Sequence, residues 1–545
     1  MADAAPFVQS APASPHAWSG DWLLRSVLRH RLPDEVLQDI EPALLAMETL
    51  AAGPLAQLQA ADRALEPVLT RWDAWGNRID RIGVTPLWQA AERIAAQHGL
   101  VAIACERQHG RWSRLHQFSL VHLFHPVSDM YTCPLAMSDG AARALLDADN
   151  AVLIGRALPH LTSRDPESFW TSGQWMTEST GGSDVGASQS RAVRTSDGSW
   201  RLYGKKWFTS AATSQMALTL ARPEGNGPGG SGLAMFYLET HDANGRLNGI
   251  RIERLKDKLG TRKVPTAELT LEGTHAHLVA GTTHGTRTIE PMLRITRAWN
   301  SVCAASFMRH GYLLARDYAA RRRAFGVRLA ELPLHAQLLA DLDAESAGAL
   351  LLTFELLDLL GRHESHELDA ADAALLRLLT PITKAVTGKQ AVAAASETLE
   401  AFGGAGYLED TMLPVLLRDA QVLPIWEGTT NVLALDALLR TDFATGAAAL
   451  RARVAGVHQG ISDPALRAVT DAALRAVDRG IAWQRAAADE RALQAGARRL
   501  VLSLGRAYEL ALLAELADAA SIDSADRANA RRACLQLQAA GYFFV

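Results

Sequence analysis

The chain's 545 residues are 48% hydrophobic and 21% charged, the composition of a folded protein, and they are too many for one core. Its 55 basic and 59 acidic residues leave a net charge of -4, so overall charge favours neither nucleic acid nor an anionic membrane as partner. Four scattered cysteines (Cys105, Cys133, Cys303, Cys534) have no C-x-x-C spacing, which argues against a disulfide framework or zinc ribbon and fits a reducing compartment. The start, Met1 to Pro6, lacks the basic stretch and apolar core of a secretory signal. The apolar runs near 350–360 and 500–520 are broken by Glu355, Asp358, Arg506, Glu509 and Glu515, so a cytoplasmic protein is expected.

Residues 1–170 read as a helical domain, with helical spacing in Leu37, Ile40, Leu44 and Met47 and again in Leu87, Ala91, Ile94 and Ala95. Between Trp72 and Trp88 turn residues fall among aromatics, which predicts a loop packed on the body. In 171–284 the period moves toward two. Strands are predicted at 199–209, 216–221, 232–238 and 267–271, giving a β barrel or sandwich, with 225–232 a mobile loop. Residues 285–440 return to long helices, one running 297–323, with Pro381, Gly403-Gly404 and Pro414 as punctuation. Residues 441–545 add an Ala/Leu/Arg-rich helical extension without lysine. The order of helical, β and helical parts is an α+β arrangement, not the βαβ alternation of a doubly wound fold.

Chemistry concentrates in a few segments. Leu423 to Asn431 sets Glu427 between Ile425-Trp426 and Gly428. Apolar neighbours strip hydration from a carboxylate and disfavour its charged form, while glycine lets backbone N–H groups approach a ligand; an exposed, helix-capping glutamate is the alternative. Trp175 to Gly186 offers N–H and hydroxyl donors for a polar ring or a phosphate, or forms an ordinary glycine turn. It is no hydrolase elbow, because Val185 stands where G-x-S-x-G needs glycine. Gly404-Ala405-Gly406 fails as a dinucleotide loop, with Glu409 in the last position. Trp207 and Thr209 share one strand face, on which a planar cofactor can rest. Arg321 to Arg323 end a helix, either stabilising its terminus or offering a fork for pyrophosphate. The pairs His122/His125, His275/His277 and His363/His366 lack a third ligand, so no metal is expected.

Together the segments resemble the acyl-CoA dehydrogenase family. They read T-E-x-x-G-G-S-D at Thr177–Asp184, K-x-W-F-T-S at Lys205–Ser210 and R-x-x-F-G at Arg322–Gly326. F-G-G-A-G-Y at Phe402–Tyr407, R-D-A at Arg418–Ala420 and I-W-E-G-T at Ile425–Thr429 follow in order. The N-terminal part, the 72–88 segment and the C-terminal extension are similar to the AidB-like, alkylation-response branch. The resemblance implies an FAD enzyme, homotetrameric, that oxidises an acyl-CoA to its trans-2-enoyl form, with an electron-transfer flavoprotein as acceptor. It makes Glu427 the base that removes the α-proton, since Thr296 stands at the alternative base position. Thr177, Trp207 and Thr209 fall at flavin positions, Ser183 on the nearby substrate side, and Arg297 near the base. Arg322 and Phe325 match contacts to a neighbouring subunit's FAD. Gly403 and Gly404 match an approach to its ADP half, and Thr429 and Asn431 are further FAD positions. Ala324, Pro333 and Glu400 depart from the family's usual hydroxyl and glutamine residues. Two other functions stand beside this one: a DNA-associated flavoprotein of the alkylation response, and a non-catalytic acyl-CoA binder. The 13 Arg and 11 Asp or Glu of residues 441–545 are interspersed, as on a solvated helical surface rather than a basic stripe.

Overall fold

The computed structural model describes residues 10–540. Its N-terminal part is helical, with Leu23–Arg31, Asp34–Leu50, Pro86–Gln97, Ser113–Phe124, Thr132–Asp147 and Ala151–Leu161 as main elements. The predicted spacing puts Ile40, Leu44 and Met47 on a buried face, and likewise Leu87, Ala91 and Ala95. Thr85 caps its helix by accepting the Trp88 N–H, with Pro86 at the first helical position, and Asn150 accepts the Leu153 N–H.

The 72–88 segment differs from the loop expected of it. Val68–Trp72 and Arg78–Gly83 pair as an antiparallel hairpin. Asp73 closes the turn, accepting from the Trp75 and Asn77 N–H groups and from the Asn77 amide. The hairpin does pack on the body: Asp80 accepts the Ile252 N–H at 3.0 Å, Arg78 donates to the Ile252 carbonyl, and Leu69 and Ile82 lie against the β core.

Strands Trp200–Thr209, Met216–Pro223, Ala234–Glu239 and Ala267–Leu278 carry the four predicted segments, joined by Ser172–Trp175, Arg191–Arg194 and Ile250–Leu255. The ladder closes into a barrel. Strand 216–223 pairs with 234–239, which pairs with 267–278; that strand pairs with 200–209, then 191–194, which returns to 216–223. Ala217, Ala221, Ala234, Phe236 and Leu238 fill the barrel, while Met216, Leu218, Leu220, Leu233, Met235 and Tyr237 belong to the helical core. With both faces buried, strands 216–223 and 234–239 are apolar at nearly every position rather than alternating as expected. The 225–232 run is pinned rather than mobile: Arg222 donates to the Gly227, Gly229 and Gly186 carbonyls, and Asn226 to those of Gly232 and Thr282.

Three 32-residue helices, Glu290–Arg321, Pro333–Glu364 and Ala370–Ala401, form the bundle. The first begins before the predicted 297 and stops at Arg321, because Arg322 is extended. The third runs straight through Pro381, which is buried, so packing outweighs the missing N–H that made it look like a break. Helices Phe443–Gly460, Pro464–Ala486, Glu490–Asp518 and Ser524–Ala540 follow, with Asp442, Asp463 and Asp489 capping the first three. They are not an appendage, since Leu450, Val454, Leu504 and Leu513 share one core with Leu350, Leu357 and Leu379. Arg451, Arg453, Arg475, Arg506 and Arg531 of this region all pair with carboxylates. No helix among the described residues is long and apolar enough to cross a membrane.

Glu355 joins four of these elements. Its buried carboxylate accepts from Arg31 at 2.9 Å, Arg453 at 3.4 Å and the Tyr508 hydroxyl at 2.6 Å. Burial alone pushes this carboxyl up, but Arg31 and Arg453 outweigh it and bring it down to about 2. A carboxyl held below its unfolded value stabilises the fold above that value, and the contribution fades as pH falls through the interval toward about 2. Glu355→Gln is therefore expected to lower the unfolding free energy by about 3 kcal/mol at neutral pH. Urea denaturation at successively lower pH should show the gap to wild type narrowing below the ordinary carboxylate range.

Candidate active site

The segment carrying Glu427 starts where helix Leu413–Ala420 ends. Asp419 is buried there and accepts the Thr261 N–H at 2.6 Å; burial pushes its carboxyl up to about 7. Gly260 lies so close to the Arg418 carbonyl that an added Cβ would run into it. Arg418-Asp419 thus clamps the β-domain loop 257–264 onto the helical bundle.

Beyond it, the Val422 carbonyl accepts the Ile425 and Trp426 N–H groups, and the chain reverses through Glu427 at φ +57° and Gly428 at φ +108°. A left-handed glutamate costs about 1 kcal/mol, so neighbouring groups must hold it. Arg297, anchored on Asp436 at 2.6 Å, donates from Nε to the Glu427 carbonyl at 3.3 Å. Lys384 donates from Nζ to the Gly428 carbonyl at 2.6 Å. Burial pushes the Lys384 ammonium down, the Glu427 carboxylate draws it back up, and it ends at about 7. Glu427 Oε2 accepts from Gln174 Nε2 at 3.2 Å, while Gln174 Oε1 is buried with no partner among the described residues. No hydrogen bond among the described residues takes up the Glu427 N–H. Of the two neighbours expected to form an apolar wall, Trp426 is half-buried against the helical core and Ile425 is 59% exposed.

Gln174 ends one residue short of Trp175-Met176-Thr177, so the glutamate turn sits beside the glycine-rich segment. The Thr177 carbonyl accepts the Trp207 N–H at 2.9 Å, and a Cβ at Gly182 would press on the Thr177 hydroxyl, 2.7 Å away. Glu178 fixes the segment's shape. Its carboxylate is buried, bonded to Lys206 Nζ at 2.8 Å and accepting the Gln189 and Ser190 N–H groups. Trp207 is half-buried under the Lys256 ammonium, 3.5 Å from its ring centroid. Thr209 is fully buried and gives its hydroxyl proton to the Ala267 carbonyl at 2.5 Å. Ser183 is exposed.

The remaining predicted positions lie elsewhere. Arg322 opens a hairpin in which Arg323-Ala324 pairs with Val327-Arg328, and Phe325 (φ +53°) and Gly326 (φ +85°) make the tight turn. Phe325 is 95% exposed. Gly403 and Gly404 are exposed with open space around them, next to this hairpin, because the Tyr318 and Phe402 rings pack in a tilted pair, centroids 4.6 Å apart, where their helices end together. Glu400 and Pro333 are exposed at the same end. From Lys384 to the end of its helix at Ala401 is roughly 25 Å at about 1.5 Å per residue, so one chain holds the two groups of residues well apart. Thr429 caps the helix Thr430–Leu435, and Asn431 accepts from Arg498 at 3.2 Å.

Sequence reasoning missed Gln174, Glu178, Lys206, Lys384 and Asp436. A faint signal existed for the first lysine, which follows Lys205 in a strand whose period puts it inside. Lys384 gave none, being one cation in a long helix whose partner lies on a distant turn.

The description "acyl-CoA dehydrogenase, middle domain" matches residues 173–274, and "acyl-CoA dehydrogenase, C-terminal domain" matches 283–440. Residues 9–167 match the N-terminal domain of the adaptive response protein AidB. Acyl-CoA dehydrogenase family member 11 of Caenorhabditis elegans is 42% identical over 441 residues, 79% of this chain and 72% of its own. Putative acyl-CoA dehydrogenase AidB of Escherichia coli is 32% identical over 412 residues, 74% of this chain and 73% of its own. The solved structure of C. elegans ACDH-11 in complex with C11-CoA superposes with a TM-score of 0.93 at 37% identity, covering 98% of this chain and 93% of that one.

The buried Glu178–Lys206 pair gives a test of the local architecture. Lys206→Met strands a buried carboxylate and is expected to cost about 3 kcal/mol of unfolding free energy. Adding Glu178→Gln should return part of that loss, so a double-mutant cycle by chemical denaturation measures the coupling.

Proposed function

Because this chain belongs to the acyl-CoA dehydrogenase family, we propose that it oxidises an acyl-CoA thioester to the trans-2-enoyl-CoA with FAD as cofactor and Glu427 as the base. The observation that carries this reading is the Glu427 turn, in which two cations hold the Glu427 and Gly428 carbonyls and no hydrogen bond among the described residues takes up the Glu427 N–H.

The residues fit a flavin. Thr177 and Trp207 are locked side by side through backbone, the Glu178–Lys206 pair shapes the donor-rich 177–190 segment, and the buried Gln174 Oε1 has no donor among the described residues. Thr177, Ser183 and Trp207 would hold the ring end of FAD, and Thr429 and Asn431 its extension, whereas the hydroxyl of fully buried Thr209 is committed to the Ala267 carbonyl. Arg322, Phe325, Gly403 and Gly404 would serve the FAD of a neighbouring copy. Exposed Phe325, Leu334 and Tyr407 support that assembly, as a homotetramer. Bound FAD supplies the acceptor for the hydride lost from the β-carbon, and an electron-transfer flavoprotein takes the electrons onward.

The chain's own part is acid–base chemistry. An α-C–H beside a thioester is a weak acid, so the carbonyl must be polarised as the proton leaves. The free Glu427 N–H is a donor for that oxygen, and a donor aimed at developing enolate charge is worth about 3 kcal/mol. The Glu427 carboxylate takes the proton, and Gln174 keeps one of its oxygens oriented until substrate arrives. Arg297 keeps the turn in place while its charge is balanced by Asp436.

Purified wild-type protein mixed anaerobically with acyl-CoAs of graded chain length is expected to lose its flavin absorbance. Glu427→Gln should retain FAD yet be reduced about 10³-fold more slowly. Reduction of that variant at the wild-type rate contradicts the assignment.

A further inference from the structure

We propose that Lys384 is a positioning residue of this reaction, its ammonium fixing the Gly428 carbonyl so that the left-handed turn presents the Glu427 carboxylate at one place. The proposal rests on Glu427 being the base.

Lys384 lies mid-way along helix 370–401, in a stretch whose residues 378–388 are all buried, and its own surface is 0% exposed. A buried ammonium costs free energy that a methionine in its place avoids. The other deeply buried lysine, Lys206, recovers that cost in an ion pair with Glu178. Lys384 has no carboxylate within ion-pair distance among the described residues; its hydrogen-bond partner is a backbone carbonyl, that of the residue after the base. A charge-assisted bond to a carbonyl fixes a peptide plane more firmly than a neutral one. The Glu427 carbonyl is held in the same way by Arg297 from a different helix. The two consecutive peptide planes that follow Glu427 are thus gripped from two sides, with Gly428 (φ +108°) between them and the left-handed Glu427 (φ +57°) immediately before them. Without Lys384 the turn is free to relax toward ordinary backbone angles and swing the carboxylate away.

The charged groups facing Lys384 are Glu427, which favours its protonated form, and Arg297, which opposes it and is itself paired with Asp436. Burial leaves the ammonium at about 7, so it loses its charge as pH rises through neutrality and the grip weakens.

The test compares holoenzyme of wild type, Lys384→Met, Lys384→Arg and Glu427→Gln by anaerobic single-turnover flavin reduction across neutral pH. Acyl-CoA affinity, FAD content and melting temperature are read in parallel. Lys384→Met is expected to keep FAD and acyl-CoA affinity while reduction slows about 10- to 100-fold. Lys384→Arg should restore part of the rate and abolish the decline that wild type shows as pH rises past neutrality. Wild-type rate and pH profile in Lys384→Met, with Glu427→Gln inactive, overturns the proposal and leaves the base assignment standing. Loss of FAD or of cooperative melting in Lys384→Met, without rescue by Lys384→Arg, makes Lys384 a packing residue and also overturns it. Wild-type reduction by Glu427→Gln refutes the base itself, a separate failure.

Discussion

The carbonyls of Glu427 and Gly428 are each held by a cation from a different long helix, and this grip is what the candidate site depends on. A glutamate at φ +57° does not stay there unaided. Arg297 and Lys384 reach it from helices 290–321 and 370–401, so the turn is only as well placed as those helices are relative to each other. Packing of the bundle is therefore a condition of the chemistry, and the buried charges elsewhere in the chain bear on it.

Those charges sit where separate parts of the chain meet. Asp419 on Thr261 joins the bundle to the barrel, Asp80 on Ile252 joins the N-terminal hairpin to it, and Glu355 joins N-terminal, bundle and C-terminal helices. Buried polar contacts of this kind add modest net stability, but they are directional and penalise misplacement. The barrel strands 216–223 and 234–239 add the apolar half of the junction, one face filling the barrel and the other the helical core.

Much of this was legible in the sequence, because motifs and periodicity are local. Strand alternation at 200–209, the helical spacing at 37–47 and the glycine after Glu427 each declare themselves within ten residues. What failed was where a distant contact overrides a local preference. Pro381 reads as a helix break until neighbouring helices bury it. The 72–88 segment reads as a loop because its turn depends on the Asp73 side chain and its strands on the barrel beneath. The glycine run 225–232 reads as mobile because Arg222, which pins it, precedes it inside a strand. Gln174 and Lys384 were invisible as neighbours of the Glu427 turn for the same reason: each meets it across a long stretch of chain.

The step on which the proposed reaction turns is removal by Glu427 of a proton from the carbon next to the thioester. It is tested most directly by exchange rather than turnover. An acyl-CoA analogue whose β-position cannot give up hydride, incubated with holoenzyme in deuterium oxide, reports proton removal alone by loss of its α-hydrogen signal in NMR. Exchange is expected of the wild type, with its abolition in Glu427→Gln. Equal exchange by both proteins would contradict that role for Glu427.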